Sequence, residues 1–143
     1  MKNILIPVDG SEYSMKAINA GKEVAKAFDS NVFILSVVAP ELKVSSGRGS
    51  NMYSAILEEE LIACSMEILD EAKKQFQGMA NQVETFSEQG NVADEILKFT
   101  HENHIDLVVM GSHGLGALKN RLMTGSVTTR VLHHIDVPVL VIK

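Results

Sequence analysis

The chain has 143 residues, of which 45% are hydrophobic, and its formal net charge is −5 at pH 7. That length is typical of one domain with a buried core, and the acidic balance, with no stripe of basic residues, argues against a nucleic-acid-binding protein. The one cysteine, Cys64, excludes an internal disulfide and indicates no metal-ligand cluster. We expect no signal peptide, because an apolar strand starts close to Met1, and no membrane span, because no apolar run approaches ~20 residues. The sequence therefore predicts a soluble, cytoplasmic protein.

The first part of the chain predicts a strand, a helix and a second strand. The apolar runs 4–8 and 32–38 are continuous, which is typical of strands covered on both faces. The first run ends at Asp9-Gly10-Ser11, where Ser11 is a plausible N-cap for the helix that follows. The predicted inner stripe of this helix is Ala17, Ile18, Gly21, Val24, Ala25 and Phe28.

The segment from Pro40 to Asn51 is rich in Ser and Gly and shows no apolar period. Its composition favours a mobile surface loop, and its position after the second strand leaves open a lid over a ligand. A long amphipathic helix is predicted to follow, over about residues 52–77. Cys64 falls on the apolar stripe of that helix, so we interpret it as a small core residue and not as a nucleophile.

Three strands and two helices are predicted in the second half. Residues 83–86 alternate in polarity as an edge strand would, whereas 107–110 and 137–143 are apolar runs. Asn91 is placed to cap the helix before the run 107–110, and Ser126 lies near the N-cap of the helix before the last strand. Four histidines lack metal-ligating partners in the sequence pattern and are interpreted as surface or helix-end residues: His101, His104, His133 and His134.

Alternating strands and helices predict an α/β fold, a single doubly wound domain over residues 1–143 with a five-stranded parallel, Rossmann-like sheet. Right-handed crossovers require a reversal of winding, and the expected strand order 3-2-1-4-5 places it between strands one and four. Ligands bind at the carboxyl ends of the strands at such a point. Asp9 ends strand one and Met110-Gly111 ends strand four, so we expect these residues to face each other.

The stretch from Asp106 to Ser126, DLVVMGSHGLGALKNRLMTGS, predicts a strand, a glycine-containing loop and a helix start. Such an arrangement presents free backbone N–H groups to an anion. Glycines suit this role because the backbone must approach a phosphate closely and can require a positive φ. The alternative interpretation is a flexible surface loop, because glycine spacings alone are weak indicators.

The whole chain, from KNILIPVDGS to PVLVIK, resembles the universal stress protein family, of the ATP-binding type. The family motif Gly-x2-Gly-x9-Gly-Ser/Thr matches at Gly111, Gly114, Gly125 and Ser126. The chain departs from the motif in one respect, because ten residues separate Gly114 from Gly125 in place of nine. One extra loop residue costs little closure entropy but could shift residues 115–124 relative to the phosphates.

The resemblance implies a site for ATP, or for ADP or AMP, with Mg²⁺ or Mn²⁺ possible beside the phosphates. It assigns the ribose to Asp9, the edges of the base to Pro7 and Val8, and adenine contacts to Val37 and the backbone of Met110. It assigns the phosphates to the backbones of Gly111, Gly114, Gly125 and Val127 and to the hydroxyl of Ser126. Lys119 and Arg121, in the loop between, either neutralise phosphate charge or are simply solvated.

The favoured function is a nucleotide-binding stress-response regulator that signals through ligand-dependent conformation or partner binding. The alternatives are a slow ATPase or phosphotransferase using the same cleft, and a ligand-free dimeric assembly module. The sequence has no Gly-x4-Gly-Lys-Ser/Thr loop, and Asp9 is the only acidic residue that we place in the pocket. His113 is either a weak base or a solvated loop residue, so we assign no catalytic residue and no metal ligand.

The last strand, Val137–Ile142, predicts a homodimer. It is apolar on both faces, and no later element covers its outer edge. An uncovered apolar edge favours pairing with another chain, and a two-fold axis would pair two such strands antiparallel. The family resemblance implies the same surface.

Overall fold

A computed structural model of the protein describes residues 1–40, 50–79, 82–115 and 124–143, with the backbone alone for residues 50–56. Strands and helices alternate along the described chain. They are β1 (Asn3–Pro7), α1 (Glu12–Phe28), β2 (Asn31–Val38), α2 (Ser50–Lys74), β3 (Val83–Gln89), α3 (Val92–Glu102), β4 (Leu107–Gly111), α4 (Ser126–His134) and β5 (Val139–Ile142). The segment predicted as a loop or lid falls mainly on 41–49, outside the described residues.

The five strands form one parallel sheet in the order β3-β2-β1-β4-β5, which confirms the predicted fold class and strand order. In the register of this sheet Pro7 lies opposite Leu35, and Leu5 lies opposite Val108. The winding therefore reverses between β1 and β4, and the carboxyl ends of these strands meet at one edge of the sheet.

Two apolar cores lie on the two faces of the sheet. Successive strand residues point to opposite faces, so Ile4 and Ile6 belong to one core and Leu5 to the other. The first core includes buried residues of α1 and α2, and the second includes buried residues of α3 and α4. Among the described residues, no helix combines the length and apolarity that crossing a membrane requires.

Two of the predicted helix caps are confirmed. The Ser11 side chain accepts a hydrogen bond from the Ser14 N–H at 3.1 Å, and the Asn91 side chain accepts one from the Asp94 N–H at 3.1 Å. Each bond satisfies one of the N–H groups that the first turn of a helix leaves without a partner. The Ser11 cap fixes where the chain turns from β1 into α1, directly beside Asp9.

The interpretation of Cys64 as a core residue is wrong, because its side chain is exposed. The buried side of α2 instead carries Ser65, Leu69 and Ala72, and the buried Phe76 follows in the turn after the helix. Ser65 is 3% exposed, and its hydroxyl lies 2.8 Å from the Ser36 hydroxyl of β2 and 3.0 Å from the Ser87 hydroxyl of β3. These polar contacts hold Ser65, and not Cys64, against the sheet.

Two smaller predictions also fail. Phe28 is 57% exposed, because it is the last residue of α1, and Asp29 turns the chain away with a φ of 51°. The last strand pairs with β4 only from Val139 to Ile142, so it is shorter than the predicted run 137–143.

Candidate functional site

A cavity of about 340 Å³ opens where the carboxyl ends of β1 and β4 meet. This volume lies within the range of small-molecule sites. The structure brings all ten of the residues assigned from the sequence into its wall. They are Pro7, Val8, Asp9, Val37, Met110, Gly111, Gly114, Gly125, Ser126 and Val127.

One side of the cavity is apolar and includes residues that the sequence interpretation did not assign to the site. Leu35 lies opposite Pro7 in the sheet register, so it follows directly from the strand order. Val92 and Ile96 enter from the first turns of α3. Ile96 is fully buried. The remaining unassigned wall residues are Ser14, His113, Leu115 and Thr128.

Asp9 links the end of β1 to the glycine loop. One carboxylate oxygen, Oδ1, accepts a hydrogen bond from the Ser11 N–H at 2.9 Å, and the other, Oδ2, accepts one from the Leu115 N–H at 3.0 Å. A carboxylate oxygen has more than one lone pair, so both oxygens can accept a further hydrogen bond from a ligand. Asp9 is partly exposed at the wall and is oriented from two sides.

The two described ends of the glycine motif are held against each other. The Gly125 N–H donates to the Ser112 carbonyl at 2.7 Å, and the Thr128 hydroxyl donates to the Gly111 carbonyl at 2.9 Å. The extra residue between Gly114 and Gly125 therefore leaves the two ends in direct contact. The loop from 116 to 123, which contains Lys119 and Arg121, lies outside the described residues.

The motif glycines allow close approach and do not require unusual backbone angles. Among the described glycines, positive φ angles occur at Gly10, Gly78 and Gly90 and at none of the three motif glycines. A Cβ added to Gly114 would lie 2.7 Å from Oδ2 of Asp9. A Cβ added to Gly125 would lie 3.3 Å from the Ser112 carbonyl oxygen, a tight contact with backbone, so a side chain at either position would require a neighbouring group to move.

Helix α4 begins at the cavity wall. Its N-cap is Gly125, which makes no side-chain cap bond, and Ser126 is the first helical residue. The prediction that Ser126 lies near the N-cap is therefore confirmed, with Ser126 one position inside it. The first N–H groups of a helix have no intrahelical partners and carry the positive end of the helix dipole, which favours an anion beside them.

The universal stress protein family model matches residues 1–143 of this chain. The chain belongs to the universal stress protein family. Universal stress protein MJ0531 of Methanocaldococcus jannaschii is 34% identical over 144 residues, which cover 99% of this chain and 82% of that protein. Universal stress protein UspA from Lactobacillus plantarum matches the structure with a TM-score of 0.82 at 26% identity, covering 99% of this chain and 97% of the other.

Two further members of the universal stress protein family share the fold and were solved with ligands. A universal stress protein in complex with cAMP matches with a TM-score of 0.69 at 23% identity, covering 99% of this chain and 95% of that one. The universal stress protein from Archaeoglobus fulgidus in complex with dAMP matches with a TM-score of 0.73 at 20% identity, covering 100% and 98%. At these identities the likeness establishes the common fold.

Metal-binding side chains do not cluster in the described part of this universal stress protein. No group of three or more His, Cys, Asp or Glu residues there is arranged to hold a metal ion. All four histidines that were interpreted as surface residues, His101, His104, His133 and His134, are exposed. His113 is different, because it is half-buried and lies in the cavity wall, so its interpretation as a simply solvated residue is wrong.

Proposed function

We propose that this universal stress protein binds an adenine nucleotide in the cavity and acts as a nucleotide-responsive regulator. ATP is the ligand that we favour, with ADP and AMP as alternatives of the same class. The observation that supports this most is the composition of one wall: an apolar surface, a carboxylate and an anion-binding turn adjoin each other. Those three features match the three parts of a nucleotide.

The base would occupy the apolar side. Leu35 and Val37 come from β2 and Met110 comes from β4, the two strands that flank β1, and Ile96 closes the same side from α3. A purine ring gains free energy from leaving water for such a surface. Pro7 and Val8, at the end of β1, would border the base on the sugar side.

The ribose would lie next to Asp9. Its hydroxyl groups are hydrogen-bond donors, and the Asp9 carboxylate is an acceptor that two backbone N–H groups already hold in place. A pre-oriented carboxylate loses little freedom on binding, which favours affinity. The Leu115 N–H also donates to Asp9. A shift of this carboxylate on ribose binding would therefore be transmitted to the glycine loop.

The phosphates would lie against the glycine turn and the start of α4. The backbones of Gly111, Gly114, Gly125 and Val127 surround this part of the wall, and the Ser126 hydroxyl joins them. Backbone N–H groups at a helix N-terminus bind phosphate oxygens without any cationic side chain. Mg²⁺ or Mn²⁺ would then be held mainly by the phosphates themselves, as is common for Mg²⁺ at nucleotide sites.

The same geometry favours a binding function over rapid phosphoryl transfer. Such transfer needs positioned cations and a group that orients the nucleophile. Asp9 is the one carboxylate among the described wall residues, and both of its oxygens accept backbone N–H groups. The output of the protein is then a change in conformation or partner affinity when the cavity is occupied.

Native mass spectrometry of gently purified protein tests the proposal, before and after incubation with ATP. We expect a mass increment that matches an adenine nucleotide in at least one of the two samples. Further samples are incubated with cAMP and with dAMP, the ligands of the two related structures. A protein that retains none of these nucleotides would contradict the proposal.

A further inference from the structure

One buried polar atom in the cavity region lacks a hydrogen-bond partner. It is Nε2 of His113, the only such side-chain nitrogen or oxygen among the described residues. Buried polar groups in folded proteins almost always have a partner, because an unpaired one loses its hydration without compensation. This exception lies on a residue that lines the proposed nucleotide cavity.

The rest of the imidazole ring is held firmly. Its other nitrogen, Nδ1, lies 2.8 Å from the hydroxyl oxygen of Ser112. Ser112 is 1% exposed, and its own N–H donates to the Ile142 carbonyl at 2.8 Å, so it is fixed to the end of β5. The Tyr13 ring lies beside the imidazole with 5.0 Å between the ring centres. Nε2 is therefore the only polar atom of the ring that the protein leaves unused.

His113 also belongs to the turn that would hold the phosphates. It directly precedes Gly114, and its Cα would lie 3.3 Å from a Cβ added to Gly125. The imidazole is thus carried by the short backbone segment against which Gly125 packs. His113 is also a lining residue of the cavity, so a ligand group at this turn would lie close to this residue.

The chemistry of the ring identifies the group that would satisfy Nε2. When the Ser112 hydroxyl donates to Nδ1, the neutral ring carries its proton on Nε2, and a charged ring carries a proton on both nitrogens. Nε2 is a donor in both states. A phosphate oxygen only accepts hydrogen bonds, whereas a nucleoside offers no charged acceptor at this end of the cavity.

We infer that Nε2 of His113 donates a hydrogen bond to the phosphates of the ligand and strengthens the preference for nucleotides over nucleosides. This inference rests on the proposed nucleotide site and adds to it a side chain that reads the phosphates. Ser112 and Tyr13 are positioning residues, because they act only through the imidazole.

Two substitutions distinguish the role of Nε2 from that of Nδ1. His113→Asn keeps a short amide near the Nδ1 position and lacks any donor at the Nε2 position. His113→Gln places an amide N–H₂ near the Nε2 position and loses the contact with Ser112. His101→Asn, on the exposed last turn of α3, is the matched control.

Calorimetric titration with ATP and with adenosine is run on all four proteins, beside the melting temperature of each without ligand. We expect His113→Asn to weaken ATP by about 10- to 150-fold, as for a lost hydrogen bond to a charged group, and adenosine by less than about threefold. His113→Gln should retain more of the preference for ATP, and His101→Asn should match the wild type. Equal weakening of ATP and adenosine in His113→Asn would overturn the inference.

The wild-type protein provides a test that does not depend on any variant folding. In ¹⁵N-histidine-labelled protein, the Nε2 resonance of His113 should shift on addition of ATP and remain in place with adenosine. A resonance that ignores ATP in a protein that binds ATP would overturn the role of His113 and leave the proposed function intact. A wild type that binds no adenine nucleotide would overturn both.

Discussion

At the scale of single residues, Ser126 can separate a ligand contact from a helix cap. Gly125 is the N-cap of α4, so Ser126→Ala should leave the melting temperature of the unliganded protein close to that of the wild type. Loss of a hydroxyl bond to a charged phosphate oxygen should weaken ATP by about 10- to 150-fold. Calorimetry beside thermal melting measures the two effects, and Ser126→Thr, which keeps the hydroxyl, is the control. A lower melting temperature with unchanged ATP affinity would show that Ser126 is only structural.

A substitution of Gly114 should change ligand affinity in a different pattern from Ser126→Ala. From the sequence alone, a side chain at this position would be expected to hinder the phosphates, but in the structure the nearest atom to an added Cβ is Oδ2 of Asp9, at 2.7 Å. Gly114→Ala should therefore displace the carboxylate proposed to hold the ribose. We predict at least about a tenfold loss of affinity for both ATP and adenosine, in contrast to Ser126→Ala. Calorimetry with both ligands checks this, and an alanine variant that binds both as tightly as the wild type would refute it.

At the scale of elements, Asp106 ties the start of β1 to the turn before β4. Its Oδ2 accepts hydrogen bonds from the Lys2 N–H at 2.7 Å and the Asn3 N–H at 2.9 Å. These bonds from Asn3 and Lys2 favour the ionised carboxylate and lower the pKa of Asp106 below its ordinary value of 3.8. A lowered pKa in the folded state means that the stabilisation is fully present above pH 3.8 and is lost as the pH falls through the folded-state value.

We therefore predict that Asp106→Asn lowers the melting temperature at neutral pH and that its difference from the wild type shrinks in acid. The charged acceptor is lost in the variant at every pH and in the wild type only at low pH, so the two proteins converge there. Melting curves from pH 7 down to pH 3 measure the trend, with Asp136→Asn as an exposed control. A difference that stays constant over this range would rule out the ionised carboxylate as the cause.

Most elements could be predicted because their signals are local. Continuous apolar runs indicated buried strands, and Ser11 and Asn91 marked helix starts by their own side-chain chemistry. The burial of Ser65 in place of Cys64 could not be predicted, because it involves hydroxyl contacts of Ser65 with Ser36 and Ser87 on two distant strands. An apolar stripe identifies the hydrophobic side of a helix, but contacts with other elements decide which residues at the edge of that side are buried.

At the scale of the whole molecule, we propose a homodimer through β5, which lies at an edge of the sheet. The Val108 N–H donates to the Pro138 carbonyl and the Ser112 N–H donates to the Ile142 carbonyl, so even-numbered residues of this region face β4. Val139 and Val141 then direct their backbone groups outward, where a second chain can pair with them. Leu140, at 38% exposure, adds apolar surface to this edge.

Val141→Pro should therefore abolish the dimer and preserve the monomer fold, because proline removes an outward-facing donor. The matched control is Thr85→Pro on β3, the opposite edge, where the Val32 N–H bond to the Gln82 carbonyl makes odd-numbered residues face outward. Light scattering at micromolar concentration should give a dimer for the wild type and Thr85→Pro, and a monomer for Val141→Pro. A monomeric wild type would refute the dimer, and a dimeric Val141→Pro would show that the dimer interface is not formed by β5.

The site could be predicted in part because strand order converts distant residues into neighbours. Asp9 and Met110 are about a hundred positions apart, and the reversal between β1 and β4 places both in one cavity wall. The contribution of Val92 and Ile96 could not be predicted, because it depends on how α3 lies over the sheet. The unpartnered nitrogen of His113 was equally hidden, because a hydrogen-bond deficit exists only in three dimensions.

The most direct test of the nucleotide site is amide chemical-shift mapping of ¹⁵N-labelled protein titrated with ATP and, separately, with adenosine. If the proposal holds, the amide resonances of Val37 and Met110 shift with both ligands, because ATP and adenosine contain the same base. The amides of Gly114, Gly125 and Ser126 shift with ATP and far less with adenosine, because only ATP brings phosphates to the glycine turn. Shifts that are the same for both ligands, or that lie away from this cavity, would contradict the account.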